Sequence, residues 1–326
     1  MTASEWAWHL MDIDLDLTRI EEAARIVDPV FRDSPQFVCE QLSAVLGRNV
    51  LVKIETANPI GSFKGRGADF LVRSLPAGST VVCASSGNFG VALAYAARAK
   101  GTAVHVYVSP GINPARLARM ESLGAAVSVA DGDAAQAARA HAAAHPGSVL
   151  ANNHPAVAEG AGTIGVELLR VSNLDAVLLP VSDGALITGV GRWIKAHSPA
   201  TQIIGVCPAA APAVAHSWRA GHVVRAEPAY TIADSLAMAE PAPEAVRRMR
   251  EVVDDMVLVT DSALLDGMRL AARTLGVLIE PSAAAGLAAI TCRDLPGATL
   301  ATVLTGKSAT LPALDIHGHR RQSWQM

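Results

Sequence analysis

The residues best suited to chemistry lie in Asn58-Pro59-Ile60-Gly61-Ser62-Phe63-Lys64-Gly65-Arg66-Gly67, where one lysine stands in what reads as a tight, exposed turn. Gly61, Gly65 and Gly67 offer backbone freedom on both sides of Lys64, and Ser62 and Phe63 set a hydroxyl and a ring beside it. A lysine in a partly desolvated pocket loses proton affinity and becomes a nucleophile able to form a Schiff base. A solvated lysine in a glycine-rich loop is the commoner occupant of such a stretch, so the reading rests on its company. Ser85-Ser86-Gly87-Asn88-Phe89-Gly90 and Ser182-Asp183-Gly184-Ala185-Leu186 each follow a β-rich run and enter a helical one. At a strand-to-helix turn, unpaired N–H groups and the helix dipole favour an anion. A plain N-cap uses the same residue types. Glu280-Pro281-Ser282 adds a carboxylate, with Ser282 expected to cap the helix that follows and to line a pocket.

The strings NPIGSFKGRGA, SSGNFGVALAYAA, GTIGVELL, TIADSLA and IEPSAAAGLAAI occur in this order. Together they resemble the serine/threonine dehydratase and serine racemase family of pyridoxal-phosphate enzymes, relatives of the tryptophan synthase β-subunit fold. The resemblance covers residues 17 to 311. It implies that Lys64 carries pyridoxal 5'-phosphate and removes the substrate's Cα proton, with Ser86 as a second catalytic group. Cofactor contacts would come from Phe63, Asn88, Glu280 and Thr305, and from Ser182, Gly184, Ala185 and Leu186 around the phosphate. Ser85, Ser86, Gly87, Asn88 and Phe89 would hold the substrate. The implied reaction eliminates water from a β-hydroxy amino acid to give a 2-oxo acid and ammonia.

Five positions depart from the family pattern. Ser182, Asp183 and Ala185 stand where glycines usually hold the phosphate, and an aspartate beside a dianion costs energy unless it turns outward. Cys207 precedes Pro208 where racemase-like relatives have a glutamate that helps bind a divalent cation. A thiol is a poor ligand for magnesium, so no metal is expected there. Phe89 stands where histidine is common, which makes the pocket more apolar and suits a larger β-substituent. Thr305, by contrast, fits the family pattern at the place that meets the cofactor's ring nitrogen, where a hydroxyl cannot keep that nitrogen protonated as a carboxylate would. The ring is then a moderated electron sink, which favours prompt loss of a β-leaving group over a long-lived carbanion.

A racemase or a β-replacement synthase on the same scaffold is the alternative, because a fold does not fix a reaction. A non-catalytic, cofactor-binding regulatory protein is a third reading, suggested by the altered phosphate loop and opposed by Lys64 and Ser86.

The elements that must position these residues read as an α/β protein. Strand-like runs at 51–54, 80–84, 103–108, 126–129, 176–181, 202–206 and 299–304 alternate with helical runs at 18–27, 91–100, after Pro114, 133–145 and 283–290. Repeated βα units predict two parallel-type sheets with flanking helices. Residues 1–70 and 154–326 are assigned to a large cofactor-binding domain and 71–153 to a small one, with the ligand cleft between them.

Composition limits the partners. The 326 residues carry a formal net charge of −3 with no basic run, so no nucleic-acid footprint is present. The first twenty residues lack a basic start and an apolar core, and no apolar run reaches membrane-spanning length. Cys39, Cys83, Cys207 and Cys292 are scattered, with neither zinc nor disulfide spacing, which suits a reducing compartment. The expected partners are an amino-acid substrate and a second copy of the chain as a homodimer, in the cytoplasm. Because the chain ends soon after the last strand, no C-terminal regulatory domain and no amino-acid feedback are expected.

Overall fold

In the computed structural model, residues 14–171, 173–227 and 230–307 are described. They form two sheets. The larger sheet has the order β1-β2-β10-β7-β8-β9, made from Gln36–Val38, Asn49–Ile54, Thr299–Leu304, Ala176–Pro180, Gln202–Pro208 and Asp255–Val259. Only β1 runs antiparallel, at the edge; the other pairs are parallel. Ala176–Pro180 is buried at every position, as expected of a central parallel strand covered on both faces. The smaller sheet, β5-β4-β3-β6, is wholly parallel and uses Ala126–Val129, Ala103–Val108, Thr80–Ala84 and Ser148–Leu150.

Topology places the candidate residues. Strand β10, the last of the described strands, inserts between β2 and β7, so Leu304 pairs with Ile54 and β2 and β10 end side by side. The segments leaving them are therefore neighbours: Phe63 N donates to Thr305 O at 3.0 Å, and Lys307 N donates to Gly61 O at 3.0 Å. The carboxyl ends of β3 and β7 lead into the 85–88 and 182–184 turns. Ligands of open α/β sheets gather at such strand ends.

Helix α3, Lys64–Ser74, begins at the lysine itself; helices α1, Leu17–Ile26, and α2, Glu40–Leu46, precede it. The exposed turn expected around Lys64 is thus corrected. Gly61 has φ +68°, the left-handed region that favours glycine, whereas Gly65 and Gly67 are helical and buried. Their need is for space: a Cβ on Gly65 would come within 2.3 Å of the Phe31 ring, and one on Gly67 within 2.3 Å of the Val157 carbonyl oxygen. Position 70, the boundary drawn from sequence, falls within α3, whose Phe70, Leu71 and Val72 share an apolar cluster with Val81 and Val106 of the smaller sheet.

A buried charge network underlies the start of α3. Arg66, fully buried, reaches Glu55 Oε1 at 2.8 Å and Glu167 Oε1 at 2.6 Å, and Lys53 Nζ lies 2.6 Å from Glu167 Oε2. Burial raises the Glu167 carboxyl's proton affinity, but Arg66 and Lys53 outweigh it and lower its pKa to about 2.

Candidate active site

The strand ends open on a cleft of about 340 Å³. It is lined by Phe63 and Lys64 at the start of α3, by Ser85, Ser86, Gly87, Asn88 and Phe89, and by Ser182, Gly184, Leu186, Glu280 and Thr305. Of the cofactor and substrate residues expected from sequence, Ala185 alone lies to one side, in a smaller hollow with Phe89, Asp183 and Gly184.

Asn58 fixes the approach to Lys64, its Oδ1 accepting from Ile60 N, Gly61 N and Ser62 N at 3.1, 2.9 and 3.3 Å. The lysine side chain is only 15% exposed, with Nζ 5.0 Å from the Phe63 ring centroid and 5.5 Å from that of Phe89. Both ring faces stabilise the cation. Its polar partner is Asp183, with Oδ2 at 2.6 Å. Burial pushes the Asp183 carboxyl upward in pKa, but the Lys64 charge and hydrogen bond outweigh it and hold it below the usual carboxylate range.

The 85–88 turn is gripped from its own strand's end. Asn152 accepts from Ala84 N at 2.8 Å and donates to Ala84 O at 3.0 Å. Helix α4, Asn88–Lys100, starts at Gly87 as N-cap. Ser85 does the local capping: its Oγ accepts from Gly87 N at 3.3 Å and Gly90 N at 3.1 Å. Ser86 Oγ accepts from Ser109 N at 3.0 Å, so its own hydroxyl proton is available to donate. A Cβ built on Gly87 meets no described atom within 4 Å, so that backbone faces the open cleft.

Asn88 Nδ2 lies 3.3 Å from each Glu280 carboxylate oxygen. Glu280 is 7% exposed, and burial raises its pKa against the lowering effect of Asn88. Gly306 is essential to this contact, since a Cβ there would lie 2.6 Å from Glu280 Oε1. Ser282 lines the cleft as expected, but it does not cap the following helix. A 3-10 turn, Pro281–Ala284, intervenes, and the Ser282 hydroxyl meets Ser235 Oγ at 2.5 Å instead.

Several lining residues carried no expected role. Asn152, Arg116, Asp234 and Ser235 border the cleft, with Arg116 Nη1 3.6 Å from Asp234 Oδ2 across it. Asp234 and Ser235 belong to the TIADSLA string, which was a usable signal; the stretch holding Arg116 has none. Cys207 is buried in β8, and burial pushes its thiol pKa up to about 12.

The Pyridoxal-phosphate dependent enzyme family matches residues 27–306. The chain belongs to that family. It is 32% identical to a serine racemase of Arabidopsis thaliana over 92% of this chain and 95% of that protein. It is 30% identical to an L-threonine ammonia-lyase of Thermotoga maritima over 92% of this chain and 77% of the other. The solved structure of a T.th. threonine deaminase superposes with a TM-score of 0.85 at 31% identity, covering 91% of this chain and all of that one. The architecture is that of the tryptophan synthase β-like enzymes, and the cofactor is pyridoxal 5'-phosphate. The cleft fits that group: a lysine amine stands within it, Gly87 leaves backbone bare toward it, and Gly184 at φ +86° opens the N-terminus of helix α8, Ala185–His197. Dehydratase or racemase chemistry on an amino acid fits the relatives.

Proposed function

We propose that the protein is a dehydratase of a β-hydroxy amino acid, releasing a 2-oxo acid and ammonia, and that it works as a cytoplasmic homodimer with the cleft between two lobes built on the two sheets. The observation that carries this reading is the position of Lys64 Nζ between the Phe63 and Phe89 rings, in a cleft that also receives the N-terminus of α4. Bound cofactor supplies the electron sink. The chain supplies the rest. Lys64 would hold the cofactor aldehyde, and its amine would serve as the base that takes the substrate's Cα proton. The open N-terminus of α4 holds the substrate carboxylate, with donors at a helix start whose dipole favours an anion. Asn88, Glu280 and Phe63 would hold the cofactor ring, and Thr305 would offer its nitrogen a hydroxyl partner. Ser182, Gly184, Ala185 and Leu186 hold its phosphate. Incubation with a panel of β-hydroxy amino acids, assayed for 2-oxo acid and ammonia, tests the reading; none turned over would sink it.

Racemisation is favoured by one feature, Ser86. Inverting Cα needs one group to remove the proton and another to return it from the opposite side. Lys64 serves one face in this reading, and the Ser86 hydroxyl, whose proton is available, serves the other. Elimination from the L-isomer is expected to dominate, and Ser86→Ala should cut action on the D-isomer by about 10²-fold or more while retaining part of L-elimination, as befits loss of one acid–base group. Following both enantiomers during turnover checks it. Interconversion faster than ammonia release in the natural protein reverses the order.

Metal is not required in this reading. Cys207 presents a protonated, buried thiol, a poor ligand for a hard divalent cation such as magnesium. Activity is expected to survive a chelator unchanged. Complete loss, restored by magnesium, would contradict the assignment.

A further inference from the structure

Asp183 is held by two donors at once. Its Oδ2 lies 2.6 Å from Lys64 Nζ, and its Oδ1 accepts from the Ala185 backbone N–H at 3.0 Å. Ala185 opens the first turn of α8, and the N-cap residue, Gly184, has no side chain to offer that turn. The Asp183 carboxylate therefore does the work of a bound anion at the helix start while neutralising the lysine. Ser182, Gly184 and Leu186 of the same turn line the cleft beside it.

We propose that the Asp183 carboxylate is a built-in occupant of the cofactor's phosphate seat and of the Lys64 amine, and that pyridoxal 5'-phosphate binds by displacing it from both. This rests on the reading that residues 182–186 hold the phosphate and Lys64 the aldehyde. A phosphate dianion needs the N–H groups of this turn, and two anions do not share one seat. Asp183 has somewhere to go: its side chain is 34% exposed, so rotation returns it to water. Once Lys64 is joined to the aldehyde, the carboxylate has also lost its cation. Displacement thus has two separable parts, one met by any aldehyde that takes Lys64 and one met only by a ligand bearing phosphate.

Two aldehydes separate these parts. Protein stripped of cofactor, as the natural chain, Asp183→Gly and Asp183→Asn, is titrated with pyridoxal 5'-phosphate and separately with pyridoxal. Adducts are trapped with borohydride and located by mass. For Asp183→Gly the dissociation constant of the phosphorylated aldehyde should fall about tenfold or more, since a like charge within a few ångströms is worth about one pKa unit or more. That of pyridoxal should fall by a clearly smaller factor. Asp183→Asn keeps the side chain's shape and removes its charge, so it should shift the ratio in the same direction and covers the case in which the glycine variant misfolds. Equal factors for the two aldehydes, or weaker binding of the phosphorylated one, would overturn the proposal while leaving the Lys64 and phosphate-turn assignments standing. Absence of any adduct at Lys64 in the natural protein would remove those assignments and the proposal together.

Discussion

Lys64→Ala is expected to abolish the borohydride-reducible linkage to pyridoxal 5'-phosphate and to lower elimination by at least about 10⁴-fold, because one amine serves both as attachment point and as proton acceptor. The fold should survive. Asp183, 34% exposed and still bonded to the Ala185 N–H, is not left as an uncompensated buried charge when Lys64 is removed. A melting temperature close to that of the natural protein, with loss of the linkage and of activity, is the expected combination. Retained covalent labelling in the variant would move the reactive lysine elsewhere. Restoration of part of the proton transfer by a small added amine, without the protein linkage, would assign the base role to the missing Nζ.

The regular part of the fold was legible because its signals are local. Runs at 80–84, 103–108, 126–129 and 299–304 are β-rich and bounded by turn residues, and each forms a strand over those residues. Strands β1 and β6 have three residues each, too short for any periodicity to register. Helix α10, Pro243–Val252, was overlooked beside Pro241 and Pro243, although proline at the first helical position is compatible with a start; α5, Pro114–Ser122, begins the same way and was expected, while α6, Ala134–Ala144, α7, Pro155–Leu168, and α9, Ala213–Ala220, lie between. The misread of Gly65 and Gly67 has a different origin. Glycine marks either a special φ or a close approach, and only the positions of Phe31 and Val157 decide which.

The site was legible where neighbouring residues in sequence act together and illegible where the sheet brings distant ones together. Asn88 and Glu280 were each placed in the cofactor pocket, yet their mutual contact spans 192 positions and depends on Gly306, which a sequence shows only as a turn glycine. Asp183 was doubted as an anion beside an anion site. Its pairing with Lys64, 119 positions away, follows from β7 lying next to β10, itself paired with β2. That adjacency is a property of strand order, which no local pattern encodes.

The largest stability effect is expected at Arg66. The guanidinium is fully buried and bonds Glu55, Glu167 and Thr163, tying the end of β2, the start of α3 and α7 into one unit two residues beyond Lys64. Arg66→Ala would leave Lys53 as the cation beside the two carboxylates, with Ser34 Oγ still donating to Glu55 and the Asp33 N–H to Glu167. Removing one partner from a buried ion pair costs about 3–5 kcal/mol at neutral pH, because the remaining charge is uncompensated. The sign of the pH dependence follows from Glu167, whose folded pKa of about 2 lies below its ordinary 4.5. A depressed carboxylate contributes stability that is present above 4.5 and lost as pH falls toward 2. In the variant this contribution is diminished from the outset, since burial is then opposed by Lys53 and the Asp33 N–H without Arg66, and the Glu167 pKa rises. The gap between natural protein and variant should therefore be widest at neutral pH and narrow in acid, as measured by denaturant unfolding at pH 7 and at pH 4. A gap independent of pH would mean that lost packing, and not the uncompensated carboxylates, accounts for the destabilisation.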